Sequence, residues 1–494
     1  MTFLFHLLPR GSLSLLLVTF SASCTVGPDF KKPTAPDVSG YTIQPLSAPT
    51  ASADTRAGES QRFVPGGDIT GDWWTLFRSK PLNNLIERSL NANPNLKASE
   101  AALRVARENT SAQIGAYYPT VGGSFAASRE RTSQFIAPVP NSNSFIYSLF
   151  TPQVSVSYLP DVFGLNRRNV ESLRAQEEGQ HFALIAAHIT LSSNVVAAAI
   201  QEASLRGQID ATHRLIDINT KMLDVISKQF AIGYANRLDV SAQESQLAQV
   251  TATLPPLQKQ LDQQQDLLAA LSGGFPSQGP TGTFELGALR LPRDIPLSLP
   301  SQLVEQRPDV CQAEENMHAA SAQIGVAVAN RLPNLELTGN AGTMALTIGK
   351  LAAPGAGFWT IGSTLTQPLF QGGTLLHRER AARAAYQQAA EQYRGAVITA
   401  IQNVADTLIA LNQDANTLRA AATAEHTAQV TLDLTSRQLQ SGYINSLAAL
   451  SAEQTYQQAT INLIQAEANR YADTAALFQA IGGGWWHRTD LSKN

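Results

Sequence analysis

Lys228-Gln229-Phe230-Ala231-Ile232-Gly233-Tyr234-Ala235-Asn236-Arg237-Leu238 returns 209 positions later as Arg437-Gln438-Leu439-Gln440-Ser441-Gly442-Tyr443-Ile444-Asn445-Ser446-Leu447. Gly233 stands at the usual C′ place of a helix, and Asn236 opens a second one. Outward from these turns the chain keeps repeating. Pro94, Glu100 and Pro119 return as Pro308, Glu314 and Pro333, all shifted by 214. Pro160 and Gly164 return as Pro368 and Gly372, shifted by 208. A period of about 210 is far too long for a solenoid unit. It means two copies of a half-molecule.

The 494 residues allow two or three ordinary domains. Charged residues make up 15%, and the formal net charge is −3. That balance argues against a nucleic-acid partner, and no polybasic run suits anionic lipid. Arg10 followed by the apolar run Leu13–Phe20 reads as a removable export signal, too short to span a bilayer. Ser21-Ala22-Ser23-Cys24 is similar to a bacterial lipobox, although Ser21 stands where Leu is usual. Cys24 would then be the diacylated N-terminus; plain cleavage nearby is the alternative. Thr25, rather than Asp, fits transfer to the outer membrane. Cys311 has no mature partner and reads as an inert helical thiol. Later apolar stretches such as Phe182–Ile200 are interrupted by His188, Ser192, Ser193 and Asn194. A membrane crossing must therefore use β-structure.

Residues 1–23 form the signal and 24–71 an extended, lipid-anchored tether with little core. The first repeat covers 72–299, the second 300–484, and a tail 485–494. Order begins near Asp72-Trp73-Trp74. A helical pattern runs from Pro81 to about Ala116, interrupted at Asn93-Pro94. Residues 118–160 read as a β-hairpin, with strand candidates Val121–Arg131 and Val154–Tyr158 around a loop at Gln134–Ser148. A proline-free helix follows from Leu165 to about Ala231, with Phe182, Ile185, Ile189, Val196, Ile200 and Ala203 at helical spacing. The next helix starts at Asn236, and Pro255-Pro256 should break or kink it. Residues 277–299 are a connector. The second copy repeats this order, with a hairpin over 333–368 and strand candidates Leu335–Thr343 and Trp359–Leu365. Its long helix runs from about Thr374 to Gln440. Tyr386, Ala389, Tyr393, Val397, Ala400, Val404, Thr407 and Leu411 form a near-heptad seam there. The last helix runs from Asn445 to about Ile481.

The fold class is therefore mainly α with a small β part: duplicated long antiparallel helical hairpins plus four strands. Four strands cannot close a membrane barrel, and three chains would supply twelve. Helices rich in Ala, Ser, Thr and Gln can then line a hollow cylinder, an α-barrel. A solid antiparallel bundle is the alternative.

These features resemble the TolC-type outer membrane factors, in the lipoprotein branch (the NodT family) that serves RND multidrug efflux pumps. The resemblance spans Cys24 to Gly484. It rests on Cys24 with Val26-Gly27-Pro28-Asp29-Phe30, Trp73-Trp74 and Asp161-Val162-Phe163-Gly164. It rests also on Arg307-Pro308-Asp309-Val310, Gln367-Pro368-Leu369-Phe370-Gln371-Gly372-Gly373 and both Gly-Tyr turns. It implies a homotrimer, a twelve-stranded barrel in the Gram-negative outer membrane, a periplasmic helical tunnel and an equatorial band. It implies passive export, driven by an inner-membrane RND pump through a periplasmic adaptor.

The resemblance places Gly233, Tyr234, Gly442 and Tyr443 at the periplasmic tip, where the adaptor docks. Two ordinary helical-hairpin turns would need the same glycines. Asp239 sits where the family carries a ring of acids constricting the entrance. Helix capping from Asn236 explains Asp239 equally well. Ala448 and Ser451 replace the acids in the second copy, and Cys311 stands where the family commonly has Arg. His181 and His188 share a helix face without a third ligand, and no phosphate loop or nucleophile elbow occurs. The expectation is no enzyme, no metal and no cofactor beyond the lipid on Cys24. The competing classes are an export conduit and a structural coiled-coil lipoprotein. Within the first, drug efflux competes with metal efflux and protein secretion.

Overall fold

The structure, a computed structural model, describes residues 25–38, 40–43, 49–133, 146–278 and 282–491. Cys24, the signal segment and residues 134–145 of the expected loop lie outside the described residues. The first half runs β1 (Arg62–Pro65), α1 (Lys80–Ala92), α2 (Pro94–Ile114), β2 (Thr120–Arg131), β3 (Ile146–Tyr158), α3 (Leu165–Ala231) and α4 (Arg237–Leu271). The second runs β4 (Asp294–Leu297), α5 (Pro300–Gln306), α6 (Pro308–Ala329), β5 (Asn334–Thr343), β6 (Gly357–Thr366), α7 (Thr374–Gln440) and α8 (Ser446–Ala480). Duplication extends to length: α3 and α7 each have 67 residues, and α4 and α8 each have 35. The chain is mainly helical with a small β part.

Three expectations need correction. The Pro255-Pro256 pair does not break its helix, because α4 is continuous across both. The prolines free only the Thr251 and Ala252 carbonyls, and both residues are exposed, where solvent can satisfy them. β3 begins at Ile146, inside the expected loop, because Ile146–Ser148 pair with Arg129–Arg131. The tether is partly built in: β1 pairs in parallel with β4, and Gln61 is fully buried. The Gln61 amide donates to the Pro292 carbonyl (3.1 Å) and Thr474 Oγ1 (3.2 Å). A polar, turn-rich stretch hides such tertiary bonds from a composition reading.

The chain forms two compact units. One takes in described residues of segments 1–32, 104–179 and 313–392; the other takes in those of 33–103, 180–312 and 393–494. The second unit buries Trp73, Phe77, Tyr471 and Phe478 together, with Trp73 and Phe478 centroids 5.6 Å apart. Arg307 holds Asp309 with two donors (2.9 and 2.7 Å) and gives a third to the Ala480 carbonyl at the end of α8 (3.2 Å). That role explains the Arg-Pro-Asp-Val motif, since helix ends leave carbonyls unpaired. The α7 seam is buried at Ala389, Tyr393, Val397, Ala400, Val404 and Leu411. Leu408, not Thr407, is the buried residue of its turn, and the Thr407 hydroxyl bonds the Asn403 carbonyl instead (2.9 Å). By length and composition α3 passes as a membrane span, but 61% of its most apolar stretch is buried within the chain. It is a core helix.

In the first unit, the buried Arg168 clamps the segment after Cys24. It donates to the Val26 carbonyl (3.0 Å), the Gly27 carbonyl (3.3 Å), Asp29 (2.8 Å) and Glu171 (2.7 Å). Phe30 stacks on the His318 ring at 4.4 Å. That ring touches Glu315 (3.2 Å) and Glu171 (3.3 Å). The Glu315 bond, aided by Glu171, raises the His318 pKa against partial burial. A raised histidine pKa gives stability that is full below about pH 6.5 and is lost as pH rises through the raised value. Limited proteolysis should therefore cut the 25–32 segment faster as pH climbs from about 6 to about 8.5. His318→Gln should abolish that rise; an unchanged pH profile in the variant would refute the assignment.

Candidate functional site

The order β2-β3-β5-β6 makes one antiparallel four-stranded sheet. Its register sorts the side chains by face. Val121, Val156, Gly339 and Ile361 lie in one row across the four strands. Gly123, Val154, Ala341 and Trp359 form the next row on that face. Between them, on the opposite face, lie Gly122, Ser155, Asn340 and Thr360. One face is thus apolar and the other hydroxyl- and amide-bearing. The apolar face is bare: Val121 is 71% exposed, Trp359 74% and Ile361 79%. On the polar face the Ser157 hydroxyl donates to Glu336 (2.9 Å). At the ends of the strands next to the helices, a cavity of ≈ 570 Å³ is lined by Thr120, Ser157, Asn166, Asn334, Thr366 and Gln371, among others. The buried Asn166 Nδ2 has no hydrogen-bond partner there. A sheet wet on one side and oily on the other suits a lipid–water wall.

The two Gly-Tyr turns match down to their hydrogen bonds. The Tyr234 N–H donates to the Gln229 carbonyl (2.8 Å), and the Tyr443 N–H to the Gln438 carbonyl (2.9 Å). Gly233 (φ 83°) and Gly442 (φ 73°) supply the left-handed residue that this motif needs. Asn236 and Asn445 then cap α4 and α8. Tyr234 and Tyr443 are each 84% exposed, and Ile232, Leu238 and Leu447 are bare beside them. Asp239 does cap: its Oδ2 accepts the Asn236 N–H (2.9 Å) in a capping box. Its Oδ1 accepts the Ser446 hydroxyl across the hairpins (2.6 Å). The Ser446 bond first, then the Asn236 N–H, holds its carboxyl below the ordinary aspartate value.

The structure brings together residues that the sequence reading passed over. Gln229 donates its side-chain amide to the Leu439 carbonyl, tying the two turns (2.9 Å). Its recurrence as Gln438 was the available signal. Behind the tip, Met222, Ile226, Val240, Leu439 and Ala449 form a small apolar cluster. Next to it Gln243 links Asn219 (3.1 Å) to the buried Glu453 (3.2 Å), whose other oxygen has no partner. Burial pushes the Glu453 pKa up, with the Gln243 bond opposing. His181 and His188 are buried, and burial drives His188 down to about 4. Among the described residues no group of three His, Cys, Asp or Glu is placed to hold a metal.

A family model for the outer membrane efflux protein matches residues 85–274 and 299–483. The toluene efflux pump outer membrane protein TtgC of Pseudomonas putida is 26% identical over 487 residues, covering 97% of each chain. Outer membrane protein OprJ of Pseudomonas aeruginosa is 26% identical over 484 residues, covering 97% of this chain and 96% of its own. Among solved structures, the outer-membrane channel OprN superposes with a TM-score of 0.84 at 23% identity, over 94% of this chain and 100% of that one. The CmeC outer membrane channel of Campylobacter jejuni gives 0.85 at 19% identity, over 95% and 97%.

The Glu453 environment yields a signed expectation. A carboxyl whose pKa is raised in the folded state stabilises fully below its unfolded value and loses that contribution as pH rises through the folded one. Glu453→Gln should raise the thermal midpoint at about pH 8 more than at about pH 5. An equal shift at both would show that its ionisation is not the cost.

Proposed function

The chain belongs to the outer membrane efflux protein family, and from that premise we propose that three copies close into one passive exit duct. It is the outer-membrane channel component of an efflux system, with long helices extending into the periplasm. The carrying observation for the three-copy duct is the sheet, which among the described residues has a bare apolar face and two unpaired edges. In hydrocarbon each unpaired backbone group costs several kcal/mol, so the edges need partners. Twelve strands from three copies close with a lumen, and the hydroxyl-bearing face lines it. A scaffold would have no use for exposed Val154, Val156, Trp359 and Ile361.

In this reading the paired long helices line a water-filled tunnel. Drugs or other small molecules pass through it, driven by an inner-membrane RND pump through a periplasmic adaptor. The adaptor meets the bare tip at Gly233-Tyr234 and Gly442-Tyr443. Asp239 keeps its charge near neutrality, so three copies set a negative ring at the entrance. A diacylglycerol and an N-acyl chain on Cys24 hold the first segment at the membrane.

Fractionation is the direct test. The protein should sit in outer membranes as a heat-sensitive trimer, and its deletion should raise susceptibility to several unrelated drugs or solvents. A soluble periplasmic monomer would reject the duct. Tyr234→Asp with Tyr443→Asp should leave the trimer intact and lower export at least tenfold, about 1.4 kcal/mol of coupling. Full export would remove the tip from the adaptor contact. Asp239→Asn should reduce cation preference in planar-bilayer conductance, and an unchanged reversal potential would leave Asp239 as a cap alone.

A further inference from the structure

The join between the two hairpins of one chain specifies the join between chains. β2 and β6 are the outer strands of the sheet. Every residue of β2 is exposed, whereas β3 and β5, paired on both sides, are mostly half-buried. Because the halves are copies, β6 should stand to the next β2 as β3 stands to β5.

The correspondence between copies follows from the ladders. Thr120 pairs with Ser157, and Asn334 pairs with Thr366. The first strands therefore correspond at a shift of 214, and the second strands at 209. The value of 208 at Pro160 and Pro368 differs because Tyr158-Leu159-Pro160 is answered by Gln367-Pro368, one residue shorter. Within the chain, β3 and β5 match Val156 with Gly339, Ser155 with Asn340 and Ser157 with Thr338.

Transposing those pairs, the geometry points to β6 pairing antiparallel with β2 of an adjoining copy, with Leu365 opposite Phe125, Thr364 opposite Ala126 and Thr366 opposite Ser124. This inference rests on the three-copy reading and adds its register. Side-chain chemistry agrees with it. Leu365 and Phe125 are 69% and 59% exposed, and both belong to the apolar face. Thr366 and Ser124 both belong to the polar face. A slip of one residue would set Leu365 against Ser124 and turn one strand's apolar set into the lumen. A slip of two would keep the faces but leave Phe125 opposite Ser363 or Gln367, parting the two large apolar side chains.

Disulfide trapping in outer membranes tests the register. The matched variants are Thr364→Cys with Ala126→Cys and Leu365→Cys with Phe125→Cys. Neighbouring antiparallel pairs alternate between wide and narrow spacing, so both are made. The shifted variants are Thr364→Cys with Ser124→Cys and Leu365→Cys with Gly123→Cys. Under mild oxidation at least one matched pair should give covalent dimers and trimers on a non-reducing denaturing gel, at roughly tenfold the yield of the shifted pairs. Single-cysteine variants control for Cys24 and Cys311. Spin-label distances at the same positions, measured in assembled protein, give a second reading and should be shortest for the matched pairs. Shifted pairs that link as well as the matched ones in an intact trimer would overturn the register alone. A monomeric native mass with no link in any pair would overturn the register and the three-copy reading together.

Discussion

The structure depends on one constraint: a strand placed in hydrocarbon must give every backbone N–H and C=O a partner. A four-stranded sheet satisfies its two inner strands and leaves two edges open. Water would complete such edges cheaply, and lipid cannot. The side chains indicate which surroundings apply. Rows such as Val121–Val156–Gly339–Ile361 lie bare on one face, and rows of Ser, Asn and Thr lie on the reverse. Under the three-copy reading proposed above, the same demand makes association a condition of stability.

Duplication makes the constraint easy to meet. Two hairpins already join through β3 and β5, and the proposed join to a further copy would repeat that contact. The helical parts obey the same repeat, with equal lengths and equal turns. Their buried faces mix large apolar residues, such as Ile185, Ile200, Val404 and Leu411, with small and polar ones. Ser192, Ser204, Asn219 and Gln243 are buried, as are Ala198 and Ala203. Buried arginines add ties between distant segments. Arg168, Arg307 and Arg470 each bind backbone carbonyls of segments distant in sequence. Arg470 ties α8 to the Leu411 carbonyl of α7 and to the loop at Glu59 (2.9 and 3.2 Å). Planar donor forks suit that task better than an ammonium.

At the Gly-Tyr turns, the entrance ring proposed for Asp239 would use the same carboxyl that caps the helix. Asp239 spends both oxygens on a capping box and on Ser446, yet keeps its charge. The two readings of this residue therefore do not compete. The exposed Tyr234 and Tyr443, with bare Ile232 and Leu447 nearby, make an apolar rim that a lone protein in water has little reason to display.

The sequence by itself determined the duplication, the long helices and the four membrane strands. Gly, Pro and period-two alternation are local signals, so Leu165–Ala231 and Thr374–Gln440 were legible to within a residue or so. It marked the Gly-Tyr turns too, because φ > 0 demands Gly. Only the tertiary structure decided what distant residues do to each other. Pairing of β1 with β4, burial of Gln61, passage of α4 through Pro255-Pro256 and the Gln243–Glu453 contact left no local trace. Each depends on which surface a residue meets after hundreds of intervening positions. Spacing along a chain encodes a helix or strand face, whereas the neighbour that covers that face is chosen by packing.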